Sequence, residues 1–379
     1  MHPRLLLLVL AAAVLGLGAP SAAEACQCGG PPPETYEPTS TIAGGVLAVR
    51  SWGLRGPLVA YDLRRGSKRF ALPAGIASAD GRRYVVSVRR RHSTALRLYD
   101  PRSGRYLGVR RVGGGWSLGG VSGNGRWVGL FRPARGATDM RLFDVVRGEA
   151  QSFTLKGWFD IDGVANDGRR VFLIQYVRAG YLIRFYDLGR RQLAARVLTE
   201  RGEPMAGIAW GAVASPDGRR LMTLYLRGDR AAEVHTLDLQ RGTAVCIDLP
   251  RGTPAVLRAY TLALAPDRRT LYAANPSLGV VATVDLRRLR VVRVVHFRPS
   301  ATGDVSWRGA AVSHDGRTVY FAAGRALYAY DAAYRRVRGA YDVGAAVAGL
   351  GFGPGDRTLR VVTRDARSLR LDAPTGLRR

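Results

Sequence analysis

The chain has 379 residues, 58 lysines plus arginines against 29 acids, a formal net charge of +29 and 47% hydrophobic residues. That balance excludes an intrinsically disordered chain and a polytopic membrane protein. Lys68 and Lys156 are the only lysines, so arginine supplies nearly all of the positive charge, and its even spread reads as a compositional bias before it reads as a binding surface.

Arg4 precedes an apolar run from Leu5 to Leu17, followed by Gly18, Pro20 and small residues. This is the order of a secretory signal, predicted here over residues 1–25 with cleavage after Ala23 or Ala25. The run falls short of the ~20 residues a bilayer-spanning helix needs, so the mature chain is expected to be secreted or extracytoplasmic, at the cell envelope, without a transmembrane span. A lipid anchor at Cys26 is the less favoured alternative, because Ala23-Glu24-Ala25 lacks the apolar residue and neutral spacer of lipoprotein signals. Residues 26–41, with Pro31, Pro32, Pro33 and Pro38, read as an extended Pro-rich leader onto a folded domain at 42–379. Cys26 and Cys28 are one residue apart and Cys246 is remote in an apolar run, so no disulfide framework is expected; Cys246 reads as a small buried hydrophobe.

From there on one phrase recurs: Ser78-Ala79-Asp80-Gly81-Arg82, Ser122-Gly123-Asn124-Gly125-Arg126, Ala165-Asn166-Asp167-Gly168-Arg169, Ser215-Pro216-Asp217-Gly218-Arg219, Ala265-Pro266-Asp267-Arg268-Arg269, Ser313-His314-Asp315-Gly316-Arg317 and, more loosely, Gly353-Pro354-Gly355-Asp356-Arg357. Asp-Gly between apolar runs marks a tight hairpin. A second phrase closes an alternating segment on an aspartate, at Asp62, Asp100, Asp144, Asp187, Asp238, Asp285, Asp331 and Asp372. These aspartates recur every ~44 residues, the period of a four-stranded blade. A polar turn and a fourth strand follow each, and no helical period of useful length interrupts them. The chain is predicted to be all-β, a β-propeller of four-stranded blades with eight blades, seven being the alternative. Residues near Tyr36 to Thr41 are expected to supply an inner strand to the first blade or to close the last one.

Leu271-Tyr272-Ala273-Ala274-Asn275 running on to Val284-Asp285-Leu286, together with the Ser-Pro-Asp-Gly turn, resembles the YVTN-repeat and TolB-like β-propellers, which are WD-repeat-like in architecture. The resemblance covers about residues 42–376 and implies a propeller; it implies no single function, since such folds serve as scaffolds, binding proteins and enzymes. The Gly-His and Trp-Asp pairs of true WD repeats are not evident.

Arginines are expected at both ends of the propeller: Arg55, Arg89, Arg90, Arg91 and Arg135 at one, Arg64, Arg65, Arg82, Arg83 and Arg169 at the other. A reader of nucleic acid would concentrate them in one track, so specific nucleic-acid binding is not expected, while non-specific attraction to polyanions at low salt is.

Counting back seven to nine residues from the hairpin turns meets Trp116, Trp158, Trp210, Tyr260 and Trp307, with Tyr36 at the equivalent place in the first repeat. Each would stand where the chain enters the axial channel. Two readings follow: rings wedged between blades, or a collar stacking on a ligand. The first is the commoner use of large aromatics in repeats, and nearby acids lend some support to the second: Asp160 and Asp162 follow Trp158, Glu200 and Glu203 precede Trp210, and Asp304 precedes Trp307. They could bond a neutral polar ligand or serve as an acid and base pair. The histidines show no metal spacing, and Asp160-Ile161-Asp162-Gly163 lacks the rest of a calcium loop. No cofactor, metal or catalytic group is assigned. The expected function is an exported, non-catalytic module for an unidentified protein, peptide or carbohydrate ligand; the alternatives are a hydrolase or lyase acting on carbohydrate and a purely structural envelope scaffold.

Overall fold

The computed structural model describes residues 40–43, 45–50, 57–199, 202–300 and 304–373. The signal assignment, residues 26–39 of the leader, Cys26, Tyr36 and Glu200 lie outside them, whereas Ser40 and Thr41 belong to a strand.

Eight antiparallel meanders follow one another along the chain. The first comprises Ser40–Ala43, Val46–Arg50, Leu58–Asp62 and Lys68–Leu72, and the second Ile76–Ala77, Tyr84–Arg89, Ser93–Tyr99 and Tyr106–Gly113. The third has Ser117–Val121, Trp127–Ala134, Ala137–Asp144 and Ala150–Lys156; the fourth has Phe159–Val164, Arg170–Val177, Gly180–Asp187 and the two-residue Gln192–Leu193. Blade five contains Ile208–Ala214, Arg220–Leu226, Ala232–Asp238 and Thr243–Leu249; blade six contains Thr261–Leu264, Thr270–Asn275, Val280–Asp285 and Arg290–His296. Blade seven is built of Arg308–Val312, Thr318–Ala323, Ala326–Asp331 and Arg336–Asp342, and blade eight of Val347–Phe352, Thr358–Thr363 and Ser368–Asp372. The segment Ser40–Ala43 is thus the inner strand of blade one, and blade eight has three strands among the described residues.

The recurring phrases make these hairpins for reasons of backbone satisfaction. In blade five, Gly218 at φ +65° donates its N–H to Ser215 O, Asp217 Oδ1 accepts the Arg219 N–H, and Ser215 Oγ donates to Asp217 Oδ1 while accepting the Arg220 N–H. The same pattern holds at Ser122 and Ser313. The aspartates closing the third strands form Asx-turns: Asp62 Oδ1 accepts from Arg64 and Arg65, Asp238 Oδ1 from Gln240 and Arg241, Asp331 Oδ1 from Ala333 and Tyr334. Each carboxylate satisfies two N–H groups that the turn would otherwise strand.

Eight apolar cores fill the ring, one at each junction between neighbouring blades. The one between blades eight and one contains Leu47, Val49, Tyr61 and Leu63 from one side, Ala348 and Val362 from the other, and Trp307 reaching across from blade seven. Arg360 fastens the same seam, its Nη2 donating to Arg64 O at 2.8 Å. Inner strands of adjacent blades pack most closely between blades seven and eight, and the inner strand of blade two has only two residues.

At the hairpin-turn mouth the first-to-second-strand turns of blades three, four and five crowd together. Asn124 N donates to Asn166 Oδ1 at 2.9 Å and Asn166 Nδ2 donates to Asp217 O at 2.7 Å. A Cβ on Gly123 would stand 2.2 Å from the Gly218 Cα. Since backbone meets backbone there, Gly123→Ala should destabilise the fold by ~1–3 kcal/mol through overpacking. Urea titration of the variant against the parent protein checks this; an unchanged midpoint would contradict the crowding.

Candidate functional site

The aromatic residues expected at the channel mouth do not form one set. Trp116, Trp210, Tyr260 and Trp307 are buried, whereas Trp158 is 44% exposed. The Trp116 indole donates to Gly113 O at 2.6 Å and lies against the guanidinium groups of Arg132 and Arg141, each 4.5 Å from the ring centroid. Trp210 Nε1 donates to Arg258 O at 2.9 Å, and the buried Arg308 stacks on its ring at 4.3 Å. Tyr260 Oη donates to Pro250 O at 2.9 Å inside the core between blades five and six. Trp307 belongs to the core at the closing seam. These four rings wedge blades together. A spread of seven to nine residues in the count explains the difference: in a strand, one residue more or less turns a side chain to the other face, and a bulge shifts it again.

Of the acids, Asp160 and Asp162 come together. Glu203 is exposed, with its carbonyl accepting from Thr199 Oγ1, and Asp304 is exposed in a turn where its Oδ1 accepts from Ser306 N at 3.0 Å. Asp160 and Asp162 stand on the inner strand of blade four, which bulges between Ile161 and Gly163. The pattern there is direct: Phe159, Ile161 and Val164 go to the core with blade three, and a Cβ on Gly163 would meet Leu239 and Leu221 of blade five. Trp158 enters the same strand, its carbonyl accepting the Tyr176 N–H at 3.0 Å.

Around these carboxyls the junction between blades four and five gathers polar groups that the sequence reading did not single out. Tyr176 and Tyr181 come from the second and third strands of blade four; Tyr225, Glu233, His235 and Cys246 come from the second, third and fourth strands of blade five. The rings of Tyr181 and Tyr225 are 5.7 Å apart, and that of His235 meets Tyr225 edge-on at 6.1 Å. His235 Nδ1 lies 3.5 Å from Cys246 Sγ, so Cys246 borders an imidazole and is half-buried rather than a buried hydrophobe. Arg227 Nη1 pairs with Glu233 Oε2 at 3.2 Å. Four atoms, Asp162 Oδ2, Tyr176 Oη, Tyr181 Oη and His235 Nε2, are sealed from solvent with no hydrogen-bond partner among the described residues.

The electrostatics follow from that burial. Burial pushes the Asp160 carboxyl up to about 6 against the pull of the Ile161 N–H, and burial together with the charge of Asp160 pushes Asp162 up to about 7. Every other aspartate with a displaced pKa lies below its ordinary value, held there by serine or threonine hydroxyls, turn N–H groups and arginines. Burial raises Tyr176, Tyr181 and Tyr225, with the Asp162 charge acting on all three, and lowers His235 to about 4. Near neutral pH the two aspartates share about one proton and the imidazole is uncharged. Such a set can donate and accept hydrogen bonds or pass a proton. No group of three metal-ligating side chains occurs among the described residues.

No protein-family model matches the sequence, and no characterised protein matches it by sequence. Among solved structures the chain is similar to the dihydro-heme d1 dehydrogenase NirN in complex with DHE, at 17% identity and TM-score 0.53 over 89% of this chain and 73% of that one. It is also similar to BamB from Moraxella catarrhalis, at 11% identity and TM-score 0.45 over 88% and 95% of the two chains. A third likeness is to the β-propeller domain of Cps50 (Swd1) from Myceliophteria thermophila, at 14% identity and TM-score 0.42 over 78% and 94%. Identities this low speak for the fold alone. Among the described residues no helix is long and apolar enough to cross a membrane. The chain is an eight-bladed, all-β propeller.

Proposed function

We propose that this propeller is an extracytoplasmic binding module whose ligand seat lies at the rim between blades four and five, with Trp158 as its aromatic edge and Asp160 and Asp162 in its floor. One observation carries this reading: four buried polar atoms without partners among the described residues lie in a single junction, between blades four and five. Leaving a buried polar group unmatched costs ~1–3 kcal/mol, a cost that a bound polar ligand removes. The exposed indole beside them supplies a face on which a sugar ring or peptide side chain can stack. Trp116, Trp210, Tyr260 and Trp307 contribute by fixing the blades. The arginines on both ends support incidental polyanion attraction that fades with salt.

The test is titration of intrinsic tryptophan fluorescence with sugars and short peptides at high salt. A saturable change that disappears in Trp158→Ala, with circular dichroism unchanged, is the expected result; a change that persists without Trp158 places the ligand elsewhere. A second reading, acid–base catalysis on carbohydrate, draws on the near-neutral Asp160 and Asp162 pair. Product formation lost in Asp162→Asn would favour it over simple binding.

A further inference from the structure

In a chain whose formal charge is +29, the junction between blades four and five holds a carboxyl pair, Asp160 and Asp162, with no arginine bonded to it among the described residues, beside the separate Arg227–Glu233 ion pair. Many other carboxylates meet arginine, as Asp144 does with Arg126 at 2.7 Å and Asp139 with Arg132 at 2.9 Å. Asp160 accepts only its neighbour's N–H, from Ile161 at 2.7 Å, among the hydrogen bonds of the described residues. Neither Asp160 nor Asp162 has an arginine among the groups that set its proton affinity. Three of the unmatched atoms are oxygens able to accept: Asp162 Oδ2, Tyr176 Oη and Tyr181 Oη. Tyr181 is only 8% exposed, and burial, then the charges of Glu233 and Asp162, raise the proton affinity of its hydroxyl. A primary ammonium carries three donors, no acceptor and one positive charge, which matches three acceptors around a carboxyl pair holding one negative charge. The exposed Trp158 at the rim suits the alkyl stem that follows such a head group, and its ring face attracts the cation.

From this arrangement we infer that the seat between blades four and five takes a primary ammonium group, with Asp162, Tyr176 and Tyr181 as its hydrogen-bond acceptors and Asp160 as the second carboxyl. The inference rests on the ligand seat proposed above and names the chemistry of its occupant. The head group has two sources, a free alkylamine or the lysine side chain of a partner protein. A sugar offers neutral hydroxyls and would leave the carboxyl charge uncompensated.

The experiment uses the mature chain at high salt, where the buried pair is screened less than surface charge. Titrant probes are n-butylammonium, isosteric n-butanol, glucose, and a peptide with one lysine beside its Nε-acetylated form, read by tryptophan fluorescence and calorimetry. Expected is saturable binding of butylammonium and the lysine peptide, with butanol and the acetylated peptide at least ~10-fold weaker, a gap of ~1.4 kcal/mol. Asp162→Asn should abolish that preference, and Tyr181→Phe should weaken binding while leaving the dichroism spectrum unchanged. A tighter free amine than peptide identifies a small-molecule source, and the reverse identifies a protein partner.

Affinity should also fall as pH drops from about 7 to about 6, because the carboxyl pair takes up its second proton there while the amine stays charged. The other titratable and charged groups facing the pair are Tyr176, Tyr181, Tyr225, Arg227, Glu233, His235, Cys246 and Asp248. The tyrosines stay neutral and His235 uncharged through that window. Equal binding of butanol and butylammonium, or affinity unaffected by Asp162→Asn, overturns the ammonium assignment. If glucose binds in a Trp158-dependent way and no amine does, the seat stands and its proposed occupant falls. If no probe binds, both fall.

Discussion

Trp210→Ala should lower the stability of the propeller by ~3–5 kcal/mol, the range for removing a large buried aromatic ring. The indole is 6% exposed in the core between blades five and six, and its N–H satisfies Arg258 O. Its loss would also strip the stacked face from Arg308, whose Nη2 donates to Trp210 O at 2.6 Å and whose side chain is wholly buried. Trp158→Ala is the control: the residue is 44% exposed, so a much smaller cost of ~1 kcal/mol is expected. Denaturant midpoints of the two variants measured side by side decide the point. Equal midpoints would mean that Trp210 does not act as a wedge.

The second large effect is on pH. A carboxyl whose folded pKa is raised stabilises the protein only while protonated, so the contribution of Asp160 and Asp162 is intact below their ordinary 3.8 and is lost as pH rises through about 6 and 7. His235 has the opposite sign: it is neutral when folded, and stability falls as pH drops from its ordinary 6.5 towards about 4. Two acids outweigh one base, so between about pH 4 and pH 7 this junction alone should lose stability with rising pH. Asp162→Asn removes the larger of the two acid terms. Its unfolding free energy relative to the parent should therefore rise with pH, reaching a gain on the order of a few kcal/mol at about pH 8 and little at about pH 4. A pH-independent difference would show that Asp162 is not desolvated in the folded protein.

The architecture was legible in the sequence because its signals are backbone requirements. Asp-Gly turns and strand-closing aspartates satisfy N–H groups at fixed offsets, and those offsets do not depend on what packs against them. The site was legible only on one strand. Trp158, Asp160 and Asp162 are consecutive on alternate positions and could be read together. Trp116, Trp210, Tyr260 and Trp307 occupy nearly the same offsets yet point into cores, because a single bulge, as between Ala209 and Gly211, changes which face a residue presents. The missed residues had no signal of their own. Phe172, Ile174 and Tyr176 alternate like any core strand, as do Tyr181, Ile183 and Phe185. That Tyr176 and Tyr181 end beside Tyr225 and His235 of the next blade depends on how two sheets sit against each other, which no local pattern records.

Blade one has its own inner strand and blade eight three strands, so among the described residues no strand is shared across the seam. Within each blade, hairpins form between neighbours in sequence, whereas the bond from Arg360 to Leu63 O joins residues 297 positions apart. Distant pairings are entropically the last to form. The toroid is therefore a zipper with a side-chain latch: seven junctions can be laid down in order along the polypeptide, and amide exchange on native protein should reveal the eighth as the place where transient opening begins.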